Sequence, residues 1–478
     1  MNLQDPKLLR HAAFINGEWL ERPDMSVTNP ATGSVIGKVP DCTGAETEAA
    51  IAAAETAMVA WRARSNAERA DLLMAWHDLM LAHKQDLGRI LSAEQGKPLV
   101  EAEGEIDYGA SFVRWFAEEA RRINGKVIPV PGKKLLALKE PVGVAAIITP
   151  WNFPNAMITR KVAPALAAGC TVVIKPSDFT PYSALALAVL AERAGIPKGV
   201  INVVTGLPTE IGKALTSSPV VRKLSFTGST RVGALLAEQC APSLKKLSLE
   251  LGGNAPFVVF DDANIDAAVE GAMLSKFRNG GQTCVCANRI LVQSEIYDAF
   301  VEKLTARVDA LTVGQGDHAG VDIGPMINAA ALEKINTHVR DAEAKGAART
   351  TRKRQLSSQF ADPLVLRDAT TEMQLASEET FGPVAPIFRF ETEDEALEIA
   401  NGTPFGLAAY FYTQDIARAF RFGEALEFGL VGLNTGAVSN AEAPFGGVKS
   451  SGLGREGAQE GIEEYLETKA LHIGGLQD

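Results

Sequence analysis

The chain has 478 residues, 46% of them hydrophobic, and a formal net charge of −11. This length predicts two or more domains, and this composition allows a large buried core. The negative charge argues against a nucleic-acid-binding protein, because such proteins carry basic patches. The short basic run from Arg349 to Arg354 is interpreted as a solvated loop.

The cysteine content and the N-terminal residues indicate the cellular compartment in which the protein is expected. The chain has five cysteines, few and odd in number for its length, which favours a reducing compartment over a disulfide framework. Residues 1–10 are polar, and no apolar run approaches the ~18 residues that a membrane span needs. We therefore expect a cytoplasmic protein that does not cross a membrane.

The N-terminal part of the chain predicts a hairpin, several helices and a strand pair. Phe14-Ile-Asn-Gly-Glu-Trp19 is typical of two short strands around an Asn-Gly turn. Gly125 to Lys139 alternates between apolar and polar residues, so we expect strands that project from the main body. The predicted helices are Glu46–Trp61, Ala67–Gln95 and Glu101–Arg122.

From Val144 onward, apolar strands alternate with helical patterns. This alternation predicts a parallel sheet covered by helices on both faces, with ligands bound at the carboxyl ends of its strands. The pattern restarts at Phe257-Val-Val-Phe260, so we expect a domain boundary near Glu250. The last segment, Glu464 to Ile473, has strand character and is expected to close against the strands of Gly125 to Lys139.

One stretch suggests a catalytic residue: Phe277-Arg-Asn-Gly-Gly-Gln-Thr-Cys-Val-Cys-Ala-Asn-Arg289. The Gly-Gly pair permits close approach of a ligand or of backbone to the following segment. Cys284 is therefore placed where a nucleophile would be useful, since a thiolate attacks carbonyl groups well. From this stretch alone, a buried structural cysteine in a tight turn is an equally good interpretation.

Three further segments have the character of sequence motifs: Leu249-Glu-Leu-Gly-Gly-Asn254, Pro150-Trp-Asn-Phe-Pro154 and Thr171-Val-Val-Ile-Lys-Pro176. Together with the Cys284 stretch, in this order and at these separations, they resemble the aldehyde dehydrogenase superfamily over nearly the whole chain. Gly281-Gln-Thr-Cys-Val-Cys-Ala-Asn-Arg289 is similar to the succinate-semialdehyde dehydrogenase branch of that superfamily.

The resemblance implies an α/β fold with two doubly wound parallel-sheet domains and a small β oligomerisation domain. It implies a homodimer or a homotetramer. The implied parts are a dinucleotide-binding domain (1–122 and 142–250), a catalytic domain (251–446) and oligomerisation segments (123–141 and 447–478).

The resemblance also implies the chemistry. Cys284 matches the family's nucleophile, which forms a thiohemiacetal with the aldehyde and then a thioester. Asn152 matches the side-chain donor to the oxyanion, and the alternative is a turn residue between two prolines. Glu250 matches the general base that activates water, and the alternative is an exposed strand-end residue. Relatives that transfer the acyl group to coenzyme A tend not to use this base, so hydrolysis is expected.

No G-x-G-x-x-G motif occurs, and the family that the chain resembles binds its dinucleotide without one. Phe226-Thr-Gly-Ser-Thr230 follows a strand and opens a helix, so a phosphate can meet the helix N-terminus; a capped turn is the alternative. The resemblance assigns a dinucleotide to these residues: Trp151, Lys175, Asp178, Gly228, Ser229, Glu379 and Phe381.

The choice between NAD and NADP is expected to depend on Asp178. Family members with Glu at this position tend to prefer NAD, because a carboxylate repels the 2′-phosphate. Asp is shorter, and Arg231 and Lys213 could offset the repulsion, so both cofactors stay open. We favour NAD.

Two arginines and a serine match the residues with which succinate-semialdehyde dehydrogenases hold the terminal carboxylate of their substrate. They are Arg160, Arg278 and Ser439, and the alternative is that both arginines are ordinary surface charges. We therefore expect succinic semialdehyde as substrate. Glutaric semialdehyde or a broader range of aldehydes is the nearest alternative, and a structural relative without activity is a more distant one.

Cys286 lies two residues after Cys284. It is interpreted either as a small side chain that fills space or as a redox switch, since a strained disulfide with Cys284 would block the nucleophile and be easily reduced. No metal is expected, because two thiols without a nearby histidine make an incomplete zinc site.

Overall fold

The structure, a computed structural model, describes residues 1–131 and 133–474. The strands are β1 (Ala12–Ile15), β2 (Glu18–Glu21), β3 (Met25–Thr28), β4 (Val35–Val39), β5 (Lys126–Val130), β6 (Lys133–Pro141), β7 (Val144–Ile148), β8 (Val172–Lys175), β9 (Ile201–Val203), β10 (Val221–Thr227), β11 (Lys246–Glu250), β12 (Ala255–Val259), β13 (Ala287–Gln293), β14 (Ala348–Arg349), β15 (Leu364–Ala369), β16 (Val384–Phe390), β17 (Ala408–Tyr412), β18 (Leu430–Leu433), β19 (Gly452–Leu453) and β20 (Leu466–Ile473).

The helices are α1 (Gly44–Ala63), α2 (Asn66–Ala82), α3 (Lys84–Gln95), α4 (Leu99–Ala120), α5 (Ala156–Ala168), α6 (Pro181–Arg193), α7 (Pro208–Ser217), α8 (Thr230–Cys240), α9 (Ile265–Phe277), α10 (Tyr297–Asp309), α11 (Ala329–Ala344), α12 (Gln374–Ser377), α13 (Glu393–Asn401), α14 (Ile416–Ala425) and α15 (Ala458–Glu463).

The first large sheet has eight strands in the order β19-β11-β10-β7-β8-β9-β1-β2. The five strands from β11 to β9 run parallel, and antiparallel strands border them on both sides. Its strands are buried on both faces: in β8, Val172 and Ile174 face one hydrophobic cluster and Val173 faces another. This burial explains the uninterrupted apolar runs in the sequence.

The second large sheet has seven strands in the order β14-β15-β16-β13-β12-β17-β18. All neighbours are parallel except β14 and β15. It is also covered on both faces, since Phe257 and Val259 face one cluster and Val258 the other. The predicted pair of doubly wound parallel sheets is therefore confirmed.

A third, smaller sheet joins β5, β6 and β20 in antiparallel pairs. The predicted closure of the C-terminal strand is confirmed, because Leu466 pairs with Pro141 and Ile473 with Lys134. The predicted oligomerisation segment 447–478 also contains β19, which lies outside this sheet, and the assignment of the segment stays a prediction. β19 pairs with β11 of the first sheet, because Gly452 and Leu453 lie beside Glu250 and Leu249. Residues 475–478 lie outside the described residues.

One predicted helix, Ala67–Gln95, is two helices in the structure. The break falls at His83, whose φ of −105° and ψ of 17° lie outside the helical values. No glycine or proline marks this position, so the sequence pattern does not reveal it. α1 and α2 both begin with a capping box, formed by Thr43 with Glu46 and by Ser65 with Glu68.

No helix within the described part of the chain combines the length and the apolar character needed to cross a membrane.

Candidate active site

The nucleophile candidate Cys284 lies in a loop between α9 and β13. The three residues Asn279, Gly280 and Gly281 have φ values of 52°, 61° and 75°. A Cβ on Gly281 would lie 2.3 Å from the carbonyl oxygen of Gly382, so a side chain does not fit there. This left-handed turn carries the chain from the end of α9 to Cys284, whose side chain is partly exposed in a cleft.

The cleft has a volume of about 270 Å³. Its walls include residues that come directly after β7 and β10 of the first sheet. They also include residues that come shortly before β13 and β16 of the second sheet. The predicted site residues that line it are Trp151, Asn152, Arg160, Gly228, Ser229, Arg278, Cys284, Glu379, Phe381 and Ser439. The predicted residues that do not line it are Glu250, Lys175, Asp178 and Cys286.

The Cys284 thiol is held largely in its neutral form. Burial raises the pKa of the Cys284 thiol to about 12, while the positive charge of Arg160 acts in the opposite direction. The carboxylates of Glu379 and Glu250 also raise this pKa. A thiolate at this position therefore needs a proton acceptor or a bound ligand that changes its surroundings.

Asn152 is tied to the Cys284 loop on one side and to a buried lysine on the other. Its Nδ2 donates to the carbonyl oxygen of Gln282 at 3.0 Å. The main-chain carbonyl oxygen of Asn152 accepts hydrogen bonds from Asn279 Nδ2 at 3.0 Å and from Lys97 Nζ at 2.8 Å. Lys97 in turn forms a buried ion pair with Glu105 at 2.6 Å. These bonds hold the amide of Asn152 close to the loop of Cys284.

Glu250, the last residue of β11, is 2% exposed and is not one of the residues that line the cleft. Among the described residues, neither of its carboxylate oxygens has a hydrogen-bond partner. Burial raises the pKa of Glu250 well above its ordinary value, and the negative charge of Glu456 adds to the effect. The adjoining residues Leu251 and Gly252 do line the cleft, so Glu250 lies next to its wall.

The two predicted carboxylate-binding arginines differ in their surroundings. Arg160 is fully buried, forms an ion pair with Glu456 and lies 4.0 Å above the ring of Phe445. Arg278 stacks at 5.1 Å on Phe153. Of these two arginines, only Arg160 forms a salt bridge within the described chain.

Tyr108 and Lys334 are two polar residues of the cleft that the sequence did not predict. Tyr108 on α4 forms a short hydrogen bond with Ser439, and Lys334 on α11 lies beside the cleft near Glu379. Neither residue belongs to a motif, because each reaches the cleft from the face of a helix that is distant in sequence from the catalytic loops. The helical pattern alone gives no signal for them.

Another part of the cleft combines a helix N-terminus with polar and aromatic groups. Ser229 caps α8 by accepting from the Val232 N–H at 3.4 Å, and the Gly228 N–H donates to the Glu250 carbonyl oxygen at 3.0 Å. The Thr227 hydroxyl is buried and has no hydrogen-bond partner among the described residues. A polar ligand would satisfy it.

Glu379 and an aromatic pair complete this part of the cleft. Burial raises the pKa of Glu379 to about 7, although the carboxylate accepts from the Gly253 N–H at 3.2 Å. Trp151 and Phe381 meet edge to face, with 5.6 Å between the ring centroids. Phe381 has a φ of 55°, an unusual value for an aromatic residue.

Lys175 and Asp178 lie beyond the cleft lining, at the carboxyl end of β8. Lys175 is 4% exposed, and its Nζ lies 3.9 Å from the carboxylate of Asp178, which is more exposed. The carboxyl end of a parallel strand is where ligands bind in open α/β sheets.

Cys286 is fully buried, and its sulfur is surrounded by groups other than Cys284. Lys276 Nζ lies 3.3 Å from the sulfur, and the Cys286 N–H donates to the carbonyl oxygen of Thr283 at 3.1 Å. Both cysteines are free thiols. A disulfide would require the Cys286 side chain to turn away from Lys276, and the redox switch stays a prediction.

No group of three or more metal-ligating side chains occurs in the part of the chain that the structure describes. The arrangement instead provides a thiol at the base of a cleft, an amide beside it and a carboxylate that can approach. It provides two arginines as well. Such a site can form and hydrolyse a covalent acyl intermediate.

Comparisons with known proteins agree with this chemistry. A family model described as the aldehyde dehydrogenase family matches residues 19–471. A glutarate-semialdehyde dehydrogenase of Pseudomonas aeruginosa is 56% identical, and the match covers 100% of both chains. The NADP(+) succinate-semialdehyde dehydrogenase of Escherichia coli is 56% identical, over 99% of this chain and 100% of the relative.

Among solved structures, a succinate-semialdehyde dehydrogenase from Burkholderia pseudomallei superimposes with a TM-score of 0.98. It is 55% identical, and the match covers 99% of this chain and 100% of that one. Sequence and fold therefore agree over almost the whole length, and the chain belongs to the aldehyde dehydrogenase family.

Proposed function

We propose that the chain oxidises succinic semialdehyde to succinate with NAD or NADP, and that glutaric semialdehyde is its nearest alternative substrate. The observation that carries the proposal is the placement of Arg278 and Ser439 in the same cleft as Cys284. A semialdehyde has an aldehyde at one end and a carboxylate at the other. The cleft offers a nucleophile for the first and positive charge for the second. The relatives from Pseudomonas aeruginosa and Escherichia coli, which are a glutarate- and a succinate-semialdehyde dehydrogenase, support this class of substrate.

In the proposed mechanism, Glu250 takes the proton of the Cys284 thiol and releases it to solvent, and the thiolate attacks the aldehyde carbon to form a thiohemiacetal. Asn152 stabilises the negative oxygen, because its amide has two N–H donors and gives only one of them to Gln282. The backbone N–H of Cys284 supplies a second donor. When bound, the nicotinamide accepts the hydride that leaves the substrate carbon.

Glu250 then acts on the thioester that remains on Cys284. The raised pKa of Glu250 suits a general base, because it makes the carboxylate a stronger proton acceptor than an ordinary glutamate. For this step the Glu250 side chain turns away from Glu456 and into the cleft. There it takes a proton from the water molecule that hydrolyses the thioester.

The residues present fit a dinucleotide. The N-terminus of α8, capped by Ser229, suits a pyrophosphate. Beside it in the cleft lies the Thr227 hydroxyl, which has no hydrogen-bond partner among the described residues. Glu379 suits a ribose with free hydroxyl groups, and the Trp151–Phe381 pair would flank the nicotinamide. We propose that 1–122 and 142–250 hold the cofactor and that 251–446 supplies the nucleophile.

We further propose a preference for NAD, because Asp178 lies beside Lys175 where the adenosine ribose would bind. Their separation of 3.9 Å means that Asp178 partly neutralises the cation that a 2′-phosphate would need. We expect Asp178→Ala to raise kcat/KM for NADP while that for NAD falls or stays the same. An NADP preference in the wild type would overturn this proposal and leave the aldehyde chemistry unchanged.

We also propose a homodimer or homotetramer that forms through the three-stranded sheet. Val127 on β5 is 70% exposed and Leu471 on β20 is 43% exposed. Exposed apolar side chains on a small sheet are typical of a surface that another subunit covers.

The test of the substrate is a comparison of kcat/KM for succinic semialdehyde and for butanal, a neutral aldehyde of equal length. We expect the wild type to prefer the semialdehyde. In Arg278→Gln the semialdehyde should lose on the order of 10- to 100-fold, because a hydrogen bond to a charged group contributes about 1.5–3 kcal/mol. The rate with butanal should hardly change.

Arg114→Gln is the matched control, since Arg114 is an exposed arginine on α4 that does not line the cleft. Glutaric semialdehyde and pentanal form the second pair of substrates, because one methylene group changes binding by only ~1–3 kcal/mol. Equal rates with semialdehyde and neutral aldehyde in the wild type would remove the assignment to semialdehydes.

A further inference from the structure

The hydroxyl of Tyr108 lies between two of the groups to which the substrate carboxylate is assigned. It forms a short hydrogen bond with Ser439, and Arg160 Nη1 lies 3.5 Å from it. Tyr108, Ser439 and Arg160 all line the cleft. The hydroxyl therefore belongs to the same end of the site as the arginines.

The protons in this cluster can be counted. A guanidinium group only donates, so the oxygen of Tyr108 is the acceptor for Arg160. Tyr108 and Ser439 have one hydroxyl proton each, and the bond between them uses one of the two. Whichever residue donates, one hydroxyl proton is left for a ligand in the cleft.

The ring of Tyr108 is held in place by its neighbours. It packs edge to face on Phe112, one turn later on α4, with 4.9 Å between centroids. Phe112 is fully buried, and its ring lies 5.9 Å from the guanidinium of Arg160. The position of the hydroxyl is therefore fixed before a ligand binds.

We propose that Tyr108 is a specificity-determining residue: with Ser439 it presents one hydroxyl proton to the terminal carboxylate of the substrate. This inference rests on the proposed function. Arg160, Arg278 and the Tyr108–Ser439 pair all offer donors, so this end of the cleft suits a group that only accepts hydrogen bonds. A terminal carboxylate is such a group, whereas a terminal amide would place an NH₂ group against these donors.

The experiment measures kcat/KM of Tyr108→Phe for succinic semialdehyde and for butanal. We expect the ratio of the two values to fall by about 3- to 10-fold, because Ser439 keeps its proton for the carboxylate but loses the hydroxyl that orients it. The value for butanal should stay within about a factor of two of the wild type, since butanal has no group that accepts this proton. A purely structural role of Tyr108 would lower both values together.

A double-mutant cycle tests the pairing with Ser439. We expect Ser439→Ala to lower the same ratio modestly and the double variant to lower it by more than the two single effects combined, because either hydroxyl alone still has a proton for the carboxylate. Tyr182→Phe is the matched control: it removes a hydroxyl that bonds to His11 outside the cleft, and it should leave the ratio unchanged.

The outcomes separate this inference from the proposed function. If the wild type prefers the semialdehyde and Tyr108→Phe keeps the full ratio, Tyr108 has no part in specificity. Fully additive effects of Tyr108→Phe and Ser439→Ala would show that the two hydroxyls do not act together as one donor. If the wild type does not prefer the semialdehyde over butanal, the proposed substrate is wrong. The role proposed for Tyr108 is then wrong as well.

Discussion

At the scale of single residues, burial controls the acid–base chemistry of the site. It raises the pKa of Cys284 to about 12 and that of Glu250 well above its ordinary value. Glu456 behaves differently: burial acts to raise its pKa, but Lys161 and Arg160 hold that pKa below its ordinary value. The lowered pKa favours the ionised form of Glu456, and its negative charge favours the protonated form of Glu250.

We predict that kcat rises with pH as Glu250 loses its proton, since only the carboxylate can accept a proton from water. Glu456→Gln removes the neighbouring negative charge, which favours the ionised form of Glu250 and lowers its pKa. The rising part of the pH profile should therefore move to lower pH. The measurement is kcat at saturating semialdehyde across a pH series.

Saturating substrate is needed because Glu456→Gln also breaks the ion pair between Glu456 and Arg160. Arg160 is a proposed substrate-binding residue, so KM changes too. Glu460→Gln, an exposed glutamate on α15, is the control and should leave the profile in place. A profile that does not move in Glu456→Gln, or that moves to higher pH, would contradict the proposed coupling between the two carboxylates.

At the scale of secondary-structure elements, a buried ion pair joins the α3–α4 segment to the oxyanion site. Lys97 lies in the connection between these helices, and Glu105 lies on α4. Glu105 also accepts from the N–H groups of Asn155 and Ala156, where α5 begins. The pair therefore fixes the segment of Asn152 from both of its ends.

We predict that Lys97→Met lowers both stability and kcat. Loss of the lysine leaves Glu105 buried without its cation, which typically costs about 3–5 kcal/mol. The carbonyl oxygen of Asn152 also loses a donor, so the amide of Asn152 is held less firmly near Cys284. Thermal unfolding and steady-state kinetics measure the two effects.

The double variant Lys97→Met with Glu105→Gln separates stability from positioning. The substitution Glu105→Gln removes the buried charge and keeps a side-chain oxygen that can accept from the start of α5, so the unfolding midpoint should recover in part. The value of kcat should stay low, because the Asn152 carbonyl still lacks the lysine. Recovery of both quantities together would show that Lys97 serves stability alone.

At the scale of the whole molecule, the small sheet leaves apolar side chains uncovered. β5 and β6 come from the first third of the chain, and β20 comes from near its end. Val127 and Ile128 are 70% and 45% exposed on β5. Two large sheets bury their strands on both faces, whereas this sheet does not.

We predict that Val127→Asp with Leu471→Asp reduces the mass of the particle in solution. A charge on this surface would have to be buried at a subunit contact, which costs several kcal/mol. Light scattering coupled to size-exclusion chromatography measures the mass, and circular dichroism checks the fold. Val100→Asp is the control, since Val100 is 84% exposed on α4. A monomeric wild type at micromolar concentration would refute the proposed assembly.

Local signals in the sequence predicted elements well where a specific residue type enforces the geometry. The hairpin of β1 and β2 turns at Asn16 and Gly17, whose φ values of 53° and 77° are those that an Asn-Gly turn needs. The break between α2 and α3 at His83 carried no such signal. Its geometry depends on packing around the helices, which periodicity does not report.

The sequence by itself determined the two parallel sheets, the turn before Cys284 and the family, because apolar runs, glycines and motifs are local properties. Only the tertiary structure decided which charges meet. Arg160 turned out to be paired with Glu456, Glu250 to be buried away from the cleft lining, and Tyr108 to lie beside Ser439. These contacts join residues far apart in the chain, and burial, which shifts their pKa values, exists only once the chain has folded.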